Sequence, residues 1–342
     1  MKNIGRRLFL VSLGLLLWIS VALWQSTTVK TLAQSVFLTD AYAIAQTQHQ
    51  GWQNAWVLSN GNVEAVIVPE IGRIMQFRFK QTAGSFWENA KLWGKPTNPR
   101  STQWLNFGGD KVWPAPQSDW PAITGRGWPP PIAFDAMPVE VQVTGNDLTL
   151  ISPIDPNYGI RIYRTIHLDP QDAIMTVTST YEKVEGLPQT VSVWTITQLQ
   201  DPIAIYAPIP QPSIFEDGYI QLTRSLPANL QISDDLLSLT RDPKESHKIG
   251  TDASTLLWVG TEDMIRIDST RLTHAEYPDG GSSAEIYTNW DGDAYVELEF
   301  LGPLELLEVG DHIQLTTTYT LMHRMEKSTD REARNLLLPR RE

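Results

Sequence analysis

The candidates for general acid–base catalysis in this sequence are Asp110, His247 and Glu285. A carboxylate and an imidazole within hydrogen-bond reach of one substrate can remove a proton from one atom and return a proton to another. His247 is favoured over the other histidines because it lies in irregular sequence among polar residues. A lone histidine is more often a surface residue or a satisfied core residue, so both interpretations stay open at this point.

The densest group of polar and aromatic residues is the run from Asn106 to Gln117, Asn-Phe-Gly-Gly-Asp-Lys-Val-Trp-Pro-Ala-Pro-Gln. Its glycines allow tight turns or a close approach of the backbone to a ligand. Its prolines exclude a helix and favour an extended path. We therefore expect a stiff loop that presents Asp110, Lys111 and Trp113. Four more tryptophans flank it: Trp93, Trp104, Trp120 and Trp128. The run either faces a ligand or caps a β-core as a buried aromatic plug.

Two later segments have the alternation of β-strands and carry acidic residues. In the segment 295–300, Glu297 and Glu299 share one face while the apolar residues between them share the other. In the segment 284–288, Glu285 and Tyr287 share a face in the same way. Neighbouring acids suit a solvated outer face of a sheet, which is the alternative to a binding role.

Composition excludes several classes of function. The 342 residues carry a formal net charge of −12, and residues 1–33 contain four basic residues and no acidic one, so the remainder is more acidic still. Such a charge argues against binding to nucleic acid or to anionic membranes. The sequence has no cysteine, which excludes disulfides, thiolate chemistry, cysteine metal sites and a lipoprotein anchor.

The N-terminus has the features of a secretory signal. Lys2, Arg6 and Arg7 precede an uncharged apolar run over residues 8–24, and small residues follow near Ala33. We predict a signal peptide over 1–33 and an exported protein, periplasmic or extracellular. The arginine pair resembles a twin-arginine signal, and the ordinary secretory route fits equally. An uncleaved anchor is a further alternative, because the run is at the short edge of the ~17–25 residues that span a membrane.

The remainder predicts an all-β protein. Residues 34–51 form a polar lead-in, residues 52–323 one β-domain, and residues 324–342 a charged tail that is a short helix or irregular. Asn60-Gly61-Asn62 between two apolar runs predicts a hairpin. Residues 84–136 are an irregular excursion, and such long segments are commonly functional. Further strands are predicted over 139–143, 148–152, 160–168, 173–181, 190–198, 255–260, 264–268, 284–288, 294–300 and 312–322. Roughly fifteen short strands indicate a large sandwich or barrel.

Several stretches together carry a resemblance to a known superfamily. They are 60–64, 68–74, the run 108–117, 277–280, 285–289, 295–299 and 301–303. The chain from about 52 to 322 resembles the aldose 1-epimerase-like, or galactose mutarotase-like, proteins. The run Gly-Gly-Asp-Lys-x-Trp-Pro-x-Pro-Gln resembles an uncharacterised family of unknown function within that superfamily. The resemblance implies a single-domain antiparallel β-supersandwich whose concave face binds sugars.

The resemblance also implies a chemistry and a partner. Aldose epimerases use histidines and a late glutamate as their acid–base set, although their histidine motifs match no histidine of this sequence. We predict an exported carbohydrate-binding protein that acts as a sugar epimerase through Glu285, His247 and Asp110. One alternative is a non-catalytic glycan-binding or envelope-structural protein. Another is a glycoside hydrolase or lyase that uses Asp110 and Glu285 as a carboxylate pair.

Sugar hydroxyls require acid, amide and guanidinium partners, and the apolar face of a pyranose stacks on aromatic rings. The predicted substrate-binding residues are Arg73, Asn106, Lys111, Trp113, Gln117, Lys248, Tyr287, Asn289 and Glu299. The predicted partner is a mono- or oligosaccharide, with no nucleic acid and no membrane contact beyond the signal segment; the sequence does not indicate an oligomeric state. No spacing typical of a transition-metal site, phosphate-binding loop or serine-nucleophile elbow occurs, so no metal or cofactor is predicted.

Overall fold

The structure, a computed structural model that describes residues 42–98 and 103–338, is built mainly of β-strands, some of which alternate strictly between buried and partly exposed residues. Ile160–Leu168 and Ile174–Lys183 alternate over their whole lengths, as expected for strands with one face on a core. The predicted signal segment, residues 34–41 of the lead-in and residues 339–342 of the tail lie outside the described residues. No helix within the described ranges is both long and apolar enough to cross a membrane.

The described residues form twenty-one strands and three α-helices. The strands are β1 (Ala43–His49), β2 (Trp52–Ser59), β3 (Val63–Val68), β4 (Arg73–Phe79), β5 (Asp110–Ala115), β6 (Glu140–Thr144), β7 (Asp147–Ile151), β8 (Ile160–Leu168), β9 (Ile174–Lys183), β10 (Gln189–Gln200), β11 (Ala204–Pro208), β12 (Ile220–Gln221), β13 (Gln231–Ser233), β14 (Leu236–Leu239), β15 (His247–Thr251), β16 (Thr255–Val259), β17 (Asp263–Ser269), β18 (Ala284–Thr288), β19 (Tyr295–Leu301), β20 (Glu305–Leu307) and β21 (His312–His323). The helices are α1 (Trp120–Thr124), α2 (Ile132–Asp135) and α3 (Thr329–Leu337), with 3₁₀ turns at Pro69–Ile71, Ala90–Leu92 and Gln117–Asp119.

The strands form two antiparallel sheets. The first sheet has the order β1-β2-β3-β4-β5-β10-β19-β18-β15-β12, with β20 beside β10, and the second has the order β13-β14-β11-β16-β17-β21-β9-β8-β7-β6. The main hydrophobic core includes residues of both sheets, such as Val112 and Leu298 of the first and Ile166 and Ile267 of the second. The predicted all-β sandwich is therefore confirmed, and the hairpin at Asn60-Gly61-Asn62 joins β2 to β3.

The run that the sequence predicts to be a loop is in fact a central strand. Residues 110–115 form β5, which pairs with β10 over six residues and is buried along its whole length. The loop prediction is wrong because Pro114 fits the extended backbone of the strand and Pro116 follows only after the strand ends. Gly108 and Gly109 turn the chain into β5 with φ of +91° and +73°. A Cβ at either glycine would overlap a backbone carbonyl oxygen of the neighbouring segment.

The two ends of the described chain pack onto the sandwich. The lead-in contributes β1, which pairs with β2 at the edge of the first sheet. In the tail, α3 begins after Ser328, whose side chain accepts a hydrogen bond from the Arg331 amide and so caps the helix. Ala333 of this helix is buried in a small apolar cluster with residues of the second sheet, such as Leu257.

Candidate functional site

Five charged side chains meet on the outer face of the first sheet, the face turned away from the second sheet. We call them the charge cluster: Lys111, Lys248, Glu285, Glu297 and Glu299. They come from β5, β15, β18 and β19, and strand pairing places Glu285 opposite Glu299. The residues that alternate with them, such as Leu298 and Ile286, lie in the main core.

Lys248 holds two of the carboxylates together. Its Nζ lies 2.5 Å from Glu285 Oε2 and 3.0 Å from Glu299 Oε2. The same ammonium lies 4.5 Å from the centre of the Trp194 ring, and Trp194 Nε1 donates a 2.6 Å hydrogen bond to Glu299 Oε2. Glu285 and Glu299 are fully buried, whereas 19% of the Lys248 side chain is exposed. Lys248 is therefore the member through which solvent reaches this pair.

The carboxylates keep unused hydrogen-bonding capacity. Both oxygens of Glu285 and Oε1 of Glu299 are buried without a hydrogen bond of acceptable geometry, despite the short ion pair that Glu285 makes with Lys248. Both amide atoms of the neighbouring Gln198 side chain, which is opposite Glu297 in the sheet, are also without partners. Buried polar atoms are nearly always paired with protein, water or ligand. This group of atoms can therefore accept and donate several hydrogen bonds to a polar molecule.

Burial and charge set the protonation of the cluster. Burial raises the pKa of Glu285 well above its ordinary value and raises the pKa of Glu299, although Lys248 opposes both shifts. Burial alone would lower the pKa of Lys248, but the two carboxylates outweigh it and the pKa is raised. The lysine thus stays charged, and the glutamate pair can retain a proton at a higher pH than exposed glutamates do.

On the β5 side of the cluster, Lys111 and Glu297 form a second ion pair. Lys111 Nζ lies 3.3 Å from Glu297 Oε1 and 4.8 Å from the centre of the Trp113 ring. Lys111 is fully buried, and burial lowers its pKa while Glu297 acts against that shift. The Glu297 side chain keeps 11% of its surface exposed. Glu297 and Lys248 are therefore the members most accessible to a ligand.

Asp135 of α2 organises the region next to Lys111. Its Oδ1 accepts hydrogen bonds from Arg73 Nη2 at 2.7 Å and Trp113 Nε1 at 3.0 Å, and its Oδ2 accepts one from Trp104 Nε1 at 3.1 Å. Arg73 also donates to the Gly108 carbonyl oxygen at 2.8 Å. The predicted binding residues Arg73 and Trp113 are thus held by one carboxylate, and both are buried.

Asp110 lies on the opposite face of its strand from Lys111. Its carboxylate contacts Arg164 and accepts 2.7 Å hydrogen bonds from the hydroxyls of Thr197 and Tyr319. Arg164 and Tyr319 belong to the second sheet, so Asp110 joins the two sheets inside the core. The structure does not bring Asp110 together with Glu285, as the carboxylate-pair alternative requires.

His247 also lies apart from the charge cluster. It precedes Lys248 in β15 and therefore points to the other face of the sheet. It is buried, with Nδ1 3.1 Å from the Ser225 carbonyl oxygen and Nε2 3.6 Å from Asp242 Oδ2. The structure does not place it within reach of Glu285, and no histidine of the described residues belongs to the cluster.

The remaining predicted residues divide into two groups. Tyr287 lies opposite Glu297 in the sheet, and its hydroxyl lies 3.4 Å from Asn289 Oδ1, so both lie beside the cluster. Asn106 is partly buried, and its side-chain oxygen has no partner. Gln117 is exposed in the 3₁₀ turn after β5. The structure thus unites Lys111, Lys248, Glu285 and Glu299, with Tyr287 and Asn289 at their edge.

Solved structures share this architecture. A protein from Synechocystis sp. PCC 6803 matches with a TM-score of 0.53 and 11% identity, over 84% of this chain and 98% of that one. YeaD from Salmonella typhimurium, a candidate mutarotase, matches with a TM-score of 0.52 and 11% identity, over 84% and 96%. A galactose mutarotase-like protein from Lactobacillus casei matches with a TM-score of 0.51 and 9% identity, over 82% and 100%. The fold is the mutarotase-like β-sandwich.

The sequence itself matches no protein-family model and no curated protein. At these identities the structural likeness concerns the fold alone. The fold implied by the resemblance is confirmed, whereas membership of the narrower family of unknown function stays a prediction.

Sequence reasoning misses three residues that the mutarotase-like fold brings to this site. The sequence shows Glu297 as a carboxylate of a strand without placing it in the site, and it shows Trp194 only as part of a strand. Glu297 shares a face with Glu299 within β19, whereas Trp194 lies on the paired strand β10, and only strand register would have revealed that neighbour. Asp135 is the last residue of a four-residue helix in irregular sequence, and no sequence motif around it predicts a function.

The acids of the cluster are buried rather than solvated, so the alternative of a solvated outer face is wrong for Glu297 and Glu299.

Within residues 42–98 and 103–338, no group of three or more potential ligands is arranged to hold a metal ion.

Proposed function

We propose that the protein binds a carbohydrate at the charge cluster and interconverts the anomers of its reducing sugar. The observation that carries the proposal is a group of buried polar atoms without hydrogen-bond partners, namely Glu285 Oε1, Glu299 Oε1 and the Gln198 amide, close to the indole of Trp194. Sugar hydroxyls donate and accept hydrogen bonds and suit such atoms, and aromatic surfaces suit the apolar face of a pyranose. Structures with this fold include a galactose mutarotase-like protein, which is consistent with a sugar ligand.

Two accessible groups have the chemistry that anomer exchange requires. Glu297 accepts the proton of the anomeric hydroxyl, and the Lys248 ammonium donates a proton to the ring oxygen. The bond between the anomeric carbon and the ring oxygen then breaks, which leaves an open-chain aldehyde. The Glu285 carboxyl, whose pKa is raised by burial, passes its proton to Lys248 in the same step, so the lysine stays charged. Closure on the opposite face of the aldehyde reverses these steps and gives the other anomer.

The test is anomer exchange followed by NMR on glucose, galactose and mannose. We expect exchange above the buffer rate, and a Glu297→Gln variant should be roughly 10²–10⁴-fold slower. Glu305→Gln, an exposed glutamate on β20, is the matched control and should keep the wild-type rate. A wild-type rate equal to that of buffer, or an unchanged rate in Glu297→Gln, would exclude this catalysis.

Binding without catalysis is the second candidate. It is favoured by one observation: no described histidine lies in the cluster, whereas the resemblance to aldose epimerases implies histidines in the acid–base set. Sugar-dependent shifts in NMR spectra of the protein, together with a buffer-like exchange rate, would establish this candidate and exclude the epimerase.

Export is a separate proposal. It rests on the basic residues, the apolar run over 8–24 and the small residues near Ala33. Cell fractionation with N-terminal sequencing should find a processed chain outside the cytoplasm, and an intact Met1 on a cytoplasmic protein would contradict it.

A further inference from the structure

Two half-exposed tryptophans lie on either side of the charge cluster. Trp128 exposes 46% of its surface and Trp290 exposes 54%. Single exposed aromatic residues are common on proteins and need no explanation. These two differ because Trp128 continues into the cluster through other aromatic rings, and the backbone amide of Trp290 shares a hydrogen-bond acceptor with Tyr287.

On the β5 side, the aromatic contacts are direct. The Trp128 ring centre lies 5.0 Å from that of Trp104 and 5.8 Å from that of Trp113. Trp113 in turn lies 5.4 Å from Trp194, the indole beneath the Lys248 ammonium. The rings therefore form a continuous series of aromatic contacts from the half-exposed Trp128 to the buried Trp194 beside the cluster.

On the β18 side, the connection runs through Tyr287. The Trp290 amide and the Tyr287 hydroxyl both donate to Ser246 Oγ, at 3.2 and 3.1 Å. Tyr287 lies opposite Glu297, and its ring is 6.2 Å from that of Tyr295. Trp290 thus lies in the segment that follows β18, next to Tyr287 and on the β18 side of the cluster.

The distance between these two sides exceeds one sugar ring. Trp113 on β5 and Tyr287 on β18 are separated by β10 and β19, which is three inter-strand spacings, or roughly 14 Å. A single pyranose fills only the middle of such a span. Between the two aromatic sides lie charged groups, including Glu297 and Lys248, that suit hydroxyls.

We propose that the outer face binds an oligosaccharide chain that runs across the strands, with Trp128 and Trp290 as flanking subsites. This inference rests on the proposed carbohydrate binding at the charge cluster. The central sugar contacts Glu297 and Lys248, and the sugars before and after it stack on the two exposed indoles. The substrate class is therefore an oligosaccharide or the end of a polysaccharide, and a free monosaccharide occupies only the centre.

The test is isothermal titration calorimetry on the full processed chain. The probes are glucose, galactose and mannose, and the linear β-1,4- and α-1,4-linked oligomers of each up to five residues. We expect affinity to rise with length, by roughly tenfold or more between monomer and trimer. Trp128→Ala and Trp290→Ala should each weaken the oligomers roughly tenfold more than the monomer, and Trp290→Phe should recover part of the loss.

Leu306→Ala is the matched control. Leu306 is 60% exposed and pairs with Thr190, six residues before Ile196 on β10. Because Ile196 lies opposite Glu299 and Lys111, Leu306 is roughly 20 Å from the cluster. The affinities of Leu306→Ala for the monomer and the oligomers should equal those of the wild type. A loss of oligomer affinity in Leu306→Ala as large as that in the tryptophan variants would show that Trp128 and Trp290 are not subsites.

The outcomes separate the two proposals. If the monomer binds and the oligomers bind no more tightly, or the tryptophan variants weaken both equally, the flanking subsites are wrong while sugar binding stands. If no sugar of the panel binds, both proposals fail. If size-exclusion chromatography with light scattering shows that the tryptophan variants change the oligomeric state instead, the face is an interface between copies and the inference is overturned.

Discussion

Replacing Lys248 with methionine removes the cation that two buried carboxylates share. Glu285 and Glu299 lie opposite each other in the sheet and both contact Lys248 Nζ. Breaking a buried ion pair by removing one partner typically costs about 3–5 kcal/mol, because an uncompensated charge stays buried. We expect a loss of this size in the free energy of unfolding at pH 8, and a fall in Tm of roughly 6–15 °C for a domain of this size.

The loss should depend on pH. Burial already raises the pKa of Glu285 and of Glu299, and Lys248 opposes both shifts, so Lys248→Met should raise them further. A carboxyl whose pKa is higher in the folded than in the unfolded state stabilises the fold fully below the unfolded pKa, and loses that contribution as pH rises through the folded pKa. The stability difference between wild type and Lys248→Met should therefore be small near pH 4.5 and should grow toward pH 8.

Urea unfolding at several pH values measures this difference. Lys91→Met is the control, because Lys91 is 79% exposed in its pair with Asp293, and such surface pairs contribute about 0–1 kcal/mol. Adding Glu285→Gln and Glu299→Gln to Lys248→Met should remove the pH dependence. A loss in Lys248→Met that is the same at pH 4.5 and pH 8, or that is no larger than that of Lys91→Met, would refute the reasoning.

Two further substitutions test the entry to β5. Gly108→Ala adds a Cβ that overlaps backbone atoms at a φ of +91°. Its free energy of unfolding should fall by at least about 2 kcal/mol more than that of Gly145→Ala, where φ is +61° and the space around the residue is open. Equal urea midpoints of the two variants would contradict this. Asp110→Asn leaves Arg164 buried without its anionic partner and should cost about 3–5 kcal/mol in urea unfolding. Asp147→Asn, from an exposed pair, should cost little, and an equally small loss in Asp110→Asn would show that the inter-sheet ion pair does not matter.

The regular part of the fold was readable from the sequence. The strands predicted over 160–168 and 284–288 coincide with β8 and β18, because alternation of apolar and polar residues repeats every two residues along a half-buried strand. The hairpin at residues 60–62 was readable for a similar local reason, since its Asn-Gly pair favours the turn. Local signals of this kind do not depend on which strands become neighbours.

The site depends on strand order, which the sequence does not state. β5 carries Lys111 beside β10, with β19 as the next strand, although β10 begins more than seventy residues after β5 ends. The prolines and tryptophans of the run 108–117 resemble those of a loop, and only burial on both faces by distant segments turns residues 110–115 into a strand. Shared faces within one strand were predictable, as for Glu297 and Glu299, but their ion pairs with lysines of other strands were not.

β5 is a two-sided element. Asp110 ties the first sheet to Arg164 of the second, and the adjacent Lys111 holds Glu297 on the outer face. A slip of one residue in the pairing of this strand would exchange the two side chains and bury each on the wrong side. Insertions or deletions between Gly108 and Trp113 should therefore not be tolerated in any variant library.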